Sequence, residues 1–322
     1  MTKLTDKIFH NENAARAHFE AIRWPNGRQC PHCGASGKTE KGKDKSTLMK
    51  GKTTRPGLYK CKVCRKPFTA TMGTIYERSH IPLHKWLLAT HLMVSSKKGI
   101  SAHQLWRQLG FGSYRTAWFM EHRIREAMKS DDTTPMGSGG GDVLADETYF
   151  QRDPSKPDDG RMGTPFRKMN QILTLVDRAT GRSTSMVFDG SMNAANVLPV
   201  LQANIAKEAR LITDDARHYR TPGKEFAAHG YVAHSRGEYV SRDDRSITTN
   251  QIEGFFAIFK RGMRGIYQHC GKQHLHRYLA EFDFRYTNRI ATGCDDTERA
   301  RRCVAGTVGR RLMYARPDFA RA

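Results

Sequence analysis

No run of about 18 apolar residues occurs in the chain, so the sequence offers no transmembrane helix. Its first residues, Met1-Thr-Lys-Leu-Thr-Asp-Lys7, lack the apolar core of a signal peptide. Cysteine is sparse and odd in number, seven in 322 residues, which argues against a disulfide framework and for a reducing compartment. Internal repeats are absent. Acidic residues are also scarce: 32 Asp and Glu stand against 54 Lys and Arg, a net charge of +22. Such an imbalance points to a polyanionic partner, nucleic acid first, with a merely solvated basic surface as the plain alternative. The expected setting is the cytoplasm, in association with the nucleoid, with no membrane partner.

The length exceeds one typical core and suits two or three modules. The clearest break is Ser130-Asp-Asp-Thr-Thr-Pro-Met-Gly-Ser-Gly-Gly-Gly141, which is rich in turn formers and reads as a linker. It separates an N-terminal part bearing cysteines and helices from an α/β C-terminal part. Residues 152–165 read as a long loop after a first strand. Residues 171–177 and 183–188 are strands around a Gly-containing hairpin turn, 194–209 has helical spacing, and 211–213 is a further strand. The expected division is 1–72 (cysteine module), 73–129 (helical module), 130–141 (linker), 142–290 (α/β domain) and 291–322 (basic tail).

Four cysteines form two Cys-x-x-Cys knuckles, Cys30-Pro-His-Cys33 and Cys61-Lys-Val-Cys64, with a Lys- and Gly-rich hairpin expected between them. Two knuckles complete a tetrahedral zinc site of four thiolates, so one structural zinc per chain is expected. A redox role fits poorly with two copies and no thioredoxin-like unit. His32 reads as a bystander, and Cys270, Cys294 and Cys303 as thiols without a ligand role. Further on, Ser101 and Ser113 can each cap a helix, joined through Leu109-Gly-Phe-Gly-Ser113 in a helix-turn-helix pattern. Its Arg107, Arg115, Arg123 and Arg125 could meet phosphates or base edges; the alternative is a plain helical hairpin with a solvated basic face.

Three acidic residues stand where metal-assisted phosphodiester chemistry would need them. Asp146 follows the apolar stretch Val143-Leu-Ala145, Asp214 ends Leu211-Ile-Thr213, and Glu253 lies in Thr249-Asn-Gln-Ile-Glu-Gly-Phe255. Strand alternation sets Leu144, Asp146 and Thr148 on one face and Val143, Ala145 and Glu147 on the other; Asp142 and Glu147 read as bystanders. Asp215 competes with Asp214 but suits the start of a loop or a helix cap. On a helix, Ile252, Phe255, Phe256 and Phe259 make one apolar stripe, with Asn250, Glu253, Ala257 and Lys260 beside it. Lys260 and Arg261 would then lie near a DNA backbone. Two strand-end Asp and a helical Glu can converge on a pair of Mg2+ or Mn2+ ions, and bound cations would relieve their mutual repulsion.

Taken together these motifs resemble those of bacterial insertion-sequence transposases with an N-terminal zinc ribbon and an RNase H-like catalytic domain of the DDE type. The resemblance is carried by Cys30-Pro-x-Cys33 with Cys61-x-x-Cys64, Gly73-Thr-Ile-Tyr76, Ile100-Ser-Ala-x-Gln-Leu105, His122-Arg-Ile-Arg125, Asp146-Glu-Thr-Tyr149, Thr213-Asp214 and Thr249-Asn-x-Ile-Glu-Gly-Phe255 with Lys260-Arg-Gly262. It continues through His274-Leu-x-Arg-Tyr-Leu-x-Glu-Phe282 to Arg285-Tyr-x-Asn-Arg289 and spans roughly residues 18–290. It implies an α/β fold, an RNase H-like mixed sheet flanked by helices and preceded by the zinc ribbon and the helical module. It also implies Asp146, Asp214 and Glu253 as the catalytic triad, with Asn250 a second candidate for the third position, and Mg2+-dependent cleavage and joining of DNA at terminal inverted repeats. Homo-oligomeric assembly on that DNA is expected. One departure is Thr248, where many relatives carry His. Rival readings are a DNA-binding regulator with a vestigial RNase H-like domain, or a stand-alone RNase H-type nuclease.

Overall fold

The computed structural model describes residues 3–40, 42–153, 168–242 and 244–313. They form two compact units. One combines the residues up to Ser96 with Ile100–Met128 and the segment from Asp295; the other comprises Lys97–Gly99 and Lys129–Cys294.

In the first unit, helix α1 (Glu12–Arg23) is capped by the Asn11 side chain, which accepts from the Ala14 amide. A three-stranded antiparallel sheet follows, β1 (Ser46–Leu48), β2 (Tyr59–Cys61) and β3 (Pro67–Phe68), in the order β1-β2-β3. So small a sheet has little core of its own. Trp24 at the end of α1 closes edge-on over Tyr59 and Phe68, with ring centroids 5.9 and 6.1 Å away, and the Tyr59 hydroxyl donates to Glu20 at 2.7 Å. Helices α2 (Leu83–Ser95), α3 (Ala102–Leu109) and α4 (Tyr114–Ala127) come next. Ser101 and Ser113 cap α3 and α4 as their sequence positions suggest, accepting from the amides of Gln104 and Arg115. Gly110 ends α3 in the left-handed conformation (φ 59°), which glycine adopts without steric cost.

The basic C-terminal segment differs from the tail expected at 291–322. Asp296–Ala305 is a helix, here α9, capped by Asp295 and packed on α2. Thr307 and Gly309 then hydrogen-bond with Ile75 and Gly73. Buried Cys303 and Val304, a stripe too short to stand out beside three arginines, make this segment part of the fold.

The second unit holds β4 (Asp142–Arg152), β5 (Met169–Asp177), β6 (Ser183–Phe188), α5 (Ala194–Asn204), β7 (Arg210–Asp214), α6 (Arg217–Arg220), β8 (Ala228–Val232), α7 (Asn250–Gly262) and α8 (Lys272–Thr287). The sheet order is β6-β5-β4-β7-β8; β4, β5 and β6 are antiparallel neighbours, whereas β7 runs parallel to β4 and β8 to β7. This is the mixed-sheet topology of the RNase H-like fold. Of the loop expected at 152–165, Arg152 belongs to β4 and the rest beyond Asp153 lies outside the described residues. The linker expected at 130–141 is docked on the sheet unit: Met136 is buried and exchanges backbone hydrogen bonds with Asn204 and Ala206. That exchange also draws Ile205 into extended backbone and ends α5 at Asn204, short of the helix read to 209.

Each face of the sheet carries its own core. Leu144, Ile172, Val176 and Ile212 meet the apolar stripe of α7 (Ile252, Phe255, Phe256, Phe259) and α8 (Leu275, Leu279, Phe282). Val143, Ala145, Leu173, Leu175 and Leu211 meet Val197 and Leu201 of α5 and Tyr219 of α6. Asp283 of α8 accepts from both the amide and the hydroxyl of Ser185, fixing that helix on β6. Among the described residues no helix is long and apolar enough to cross a membrane.

At the end of α7, Gly262 is held so closely that a Cβ would lie 2.6 Å from both the Lys98 carbonyl oxygen and the Phe282 ring. Gly262→Ala should therefore destabilise the second unit by about 1–3 kcal/mol, the usual range for overpacking, despite alanine's better helix propensity. Thermal unfolding of the two proteins side by side checks this; an unchanged or higher midpoint would contradict the packing described.

Candidate active site and metal centre

The cysteine cluster is built by two matching turns. The Cys30 amide donates to the Ala35 carbonyl, as the Cys61 amide does to the Lys66 carbonyl. In each knuckle the residue after the second cysteine is left-handed, Gly34 at φ 72° and Arg65 at φ 63°. The four Sγ atoms all lie within 4.8 Å of one another, with Cys30–Cys64 at 3.7 Å and Cys33–Cys61 at 3.8 Å. A tetrahedron with Zn–S bonds of about 2.3 Å has edges of roughly 3.8 Å, so the sulfurs fit a single zinc ion. His32 stands aside, its ring nitrogen 3.1 Å from the Pro67 carbonyl.

The second site follows from register. β4 and β7 are parallel, with Leu144 opposite Ile212. Two residues further along each strand come Asp146 and Asp214, on the face shared by Leu144 and Ile212 and covered by α7. Glu253 lies in the first turn of α7. Its carboxylate accepts from the Thr249 hydroxyl at 2.6 Å and lies 3.3 Å from His234 Nε2, which is itself 3.2 Å from that hydroxyl. The Asp214 carboxylate accepts from the Ala216 amide at 3.0 Å.

Burial raises the Asp146 carboxyl to about 8, reinforced by the charges of Glu147, Asp214 and Glu253 against one hydrogen bond from the Glu147 amide. Asp214 is also raised, first by burial and then by the Glu147 and Asp215 charges, while the Ala216 amide and His218 pull the other way. The three carboxylates therefore share one electrostatic neighbourhood. They are not crowded as the sulfurs are: among the described residues, only the four cysteines bring three or more possible metal-ligand atoms within 4.8 Å of one another. Oxygen donors set apart in a partly buried, mutually repelling group suit hard divalent cations.

The neighbouring acids have other partners. Glu147 faces the α5–α6 side, where it accepts from the Tyr219 hydroxyl at 2.8 Å and lies 3.2 Å from His218 Nε2. Asp142, at the far end of β4, is clamped by Arg210 through two hydrogen bonds of 2.7 and 2.8 Å and by Arg178 at 2.8 Å. Asp215 accepts from the Ser235 hydroxyl, which holds its carboxyl below the usual range. Asn250 is exposed at the first position of α7. Lys260 is half-buried; burial lowers its ammonium, Arg264 lowers it further, and the Asp146 charge counters both. Arg261 is exposed, its Nε donating to the Ala257 carbonyl.

His234 had no signal in the sequence beyond lying two residues after β8, a strand too short and too polar to read with a site in mind. The basic residues of the helical module need a correction. Arg107 and Arg115 are exposed, whereas Arg125 is fully buried and Arg123 is mostly buried, reaching only the wall of a surface hollow. Arg125 is fully buried and paired with Glu121 at 3.0 Å, and Arg123 is packed against Trp86 and donates to the Glu77 carbonyl. Both sit on the side of α4 that other helices cover, which charge alone does not reveal.

Residues 139–287 match the family model of the ISXO2-like transposase domain, and residues 10–67 match that of the transposase zinc-ribbon domain. Over 295 residues the chain is 28% identical to an uncharacterized protein in transposable element ISH50 of Halobacterium salinarum, covering 87% of this chain and 92% of that relative.

Two measurements test these sites. Purified protein should contain one zinc per chain; Cys61→Ser with Cys64→Ser should abolish it and unfold the cysteine module, leaving the second unit folded. At the acidic site, the folded, metal-free protein keeps a proton on Asp146 that the unfolded chain has already lost, so this group costs stability as pH rises from about 4 to about 8. In chelator, the thermal midpoint of Asp146→Asn should therefore exceed that of the parent by a margin that widens across this window. A margin that is constant or shrinks would refute the burial assigned to Asp146.

Proposed function

Because the chain belongs to the insertion-sequence transposases that join a transposase zinc-ribbon domain to an ISXO2-like transposase domain, we propose that it cuts DNA at the terminal inverted repeats of its own element and joins the freed 3′-hydroxyl to target DNA. The single observation that carries this reading is the pairing of β4 with β7. It sets Asp146 and Asp214 side by side on the face that α7 covers, with Glu253 in the first turn of that helix. Asp146, Asp214 and Glu253 would hold two Mg2+ or Mn2+ ions. When bound, such a pair activates water or a 3′-hydroxyl and stabilises the leaving oxygen in an in-line displacement at phosphorus.

The protein's own part is positioning and charge. Thr249 and His234 fix the Glu253 carboxylate before metal arrives, so less freedom is lost on binding. Lys260 and Arg261 offer cations to the strand being cut, with Lys260 close enough to feel the Asp146 charge. Cys30, Cys33, Cys61 and Cys64 would hold a structural zinc that keeps the first unit folded for DNA binding. The partner is double-stranded DNA on the nucleoid in the cytoplasm, and the protein would assemble on it as a homo-oligomer.

Asp146→Asn, Asp214→Asn and Glu253→Gln should each lower cleavage and joining of labelled element ends by about 10³-fold or more, since each removes several kcal/mol of transition-state stabilisation. DNA binding should persist in all three. Asp215→Asn and Glu147→Gln should retain most activity. Equal activity of Glu253→Gln and the parent, with Asn250→Ala dead, would move the third ligand one turn earlier. Strand transfer by the parent protein separates this reading from a regulator with a vestigial domain, and its dependence on the element's own ends separates it from a nuclease.

A further inference from the structure

In the first unit two hollows, of about 370 and 310 Å3, share Ile81 and Trp86 in their linings and so adjoin there; together they are the trough. Arg16, Arg55 and Arg78 line the first part, and Arg115 with the mostly buried Arg123 the second. Arg55, Arg78 and Arg115 are exposed. Among the described residues, Arg16, Arg55 and Arg115 have no carboxylate within ion-pair distance, and Arg78 only approaches Glu77, at 4.0 Å with its own side chain 79% exposed. The one acidic side chain in the lining, Glu12, is already occupied by the amides of Leu83 and His84 and by the His84 ring. The trough thus gathers guanidinium groups that are largely uncompensated.

It is also preorganised. Arg16 lies flat over Gly57, where a Cβ would stand 2.4 Å from Arg16 Cδ, and its Nη1 donates to Asn13 at 3.2 Å. Gly57 adopts φ 74°, so the turn and the close approach both require glycine. Arg78 is held in the left-handed region at φ 56°, which is uncommon for a residue with a Cβ. Between the arginines lie the Thr69, Thr71 and Thr116 side chains and an apolar floor. Arginines, hydroxyls and an apolar floor together match the alternation of phosphates and sugars along a nucleic-acid strand.

We infer that this trough, bounded by the cysteine module on one side and by α2 and α4 on the other, seats the sugar-phosphate backbone of duplex DNA through Arg16, Arg55, Arg78 and Arg115. The inference rests on the transposase reading and adds to it a surface on which the first unit holds DNA independently of sequence. It puts backbone contacts on arginines scattered through the first unit, while Arg125 of the helical module serves its core and Arg123, in the trough's wall, is committed to Trp86 and the Glu77 carbonyl.

The test uses the full zinc-loaded chain and measures binding to an element-end duplex and to an unrelated duplex over a range of salt. Arg55→Ala/Arg78→Ala/Arg115→Ala should weaken both complexes alike and flatten the slope of log K against log salt by about 2 to 3, since each phosphate contact contributes about 0.9. The corresponding triple Lys variant should recover most of the slope. Zinc content and thermal midpoint should match the parent. A charge-matched control, Lys207→Ala/Arg220→Ala/Lys224→Ala, should leave the slope nearer the parent value. A trough variant with the parent's slope, or a control that loses as much, would overturn the inference while leaving the transposase reading in place. Failure of the parent to bind DNA at all would overturn both.

Discussion

β4 is the middle strand of the second unit, and its two faces are committed to different cores. Because side chains alternate strictly along a strand, this commitment determines where each acidic residue of the strand can point. Leu144 buried under α7 carries Asp146 to that side; Ala145 buried under α5 carries Glu147 to the other. A one-residue slip of β4 against β5 and β7 would exchange the two carboxylates and expose both cores, and the cost of that exposure locks the register. The candidate site is therefore held in place by the hydrophobic effect acting on its neighbours, since its own like charges oppose one another.

The same unit places its remaining charges so that they brace the sheet. Arg178 and Arg210 close on Asp142 at the start of β4, remote from the carboxylates gathered further along. Ser185 and Asp283, both half-buried, join β6 to α8, where hydrogen-bonding the carboxylate lessens its desolvation cost. Counter-charge is spent on Asp142 and hydrogen bonds on Asp283, while Asp146 is left with one amide, from Glu147. An acid left so poorly compensated, beside two others, is the kind of group that the proposed divalent cations would relieve.

The first unit is assembled by a different logic. A three-stranded ribbon of so few residues cannot bury enough surface to fold unaided, and it is secured at one end by four thiolate positions and at the other by Trp24 of α1. Chain remote in sequence completes it: α9 packs on α2, and the backbone beyond α9 pairs with residues 73–75. Of the arginines in this unit, Arg125 is structural, buried against Glu121, whereas Arg16, Arg55, Arg78 and Arg115 line an open trough. Net charge sums the two kinds and so says nothing of how they divide.

Much was legible in the sequence. The knuckle spacing identified the four sulfurs, because two thiolates on one tight turn have few other uses. Strand alternation and the apolar stripe of α7 separated Asp146 from Glu147 and placed Glu253 beside the sheet, because both periodicities are local and survive without any knowledge of the partner surface. The caps of α3 and α4 were equally local. Three things required the tertiary structure. His234 reaches Glu253 and Thr249 across residues that no pattern links. Arg123 and Arg125 are buried by helices that come from elsewhere in the chain, the last of them from its C-terminal segment. The trough exists only where α1, the ribbon, α2 and α4 come together. Sequence periodicity tells which way a side chain faces within its own element; what it then meets is decided by how the elements pack, and that depends on the free energy of the whole core.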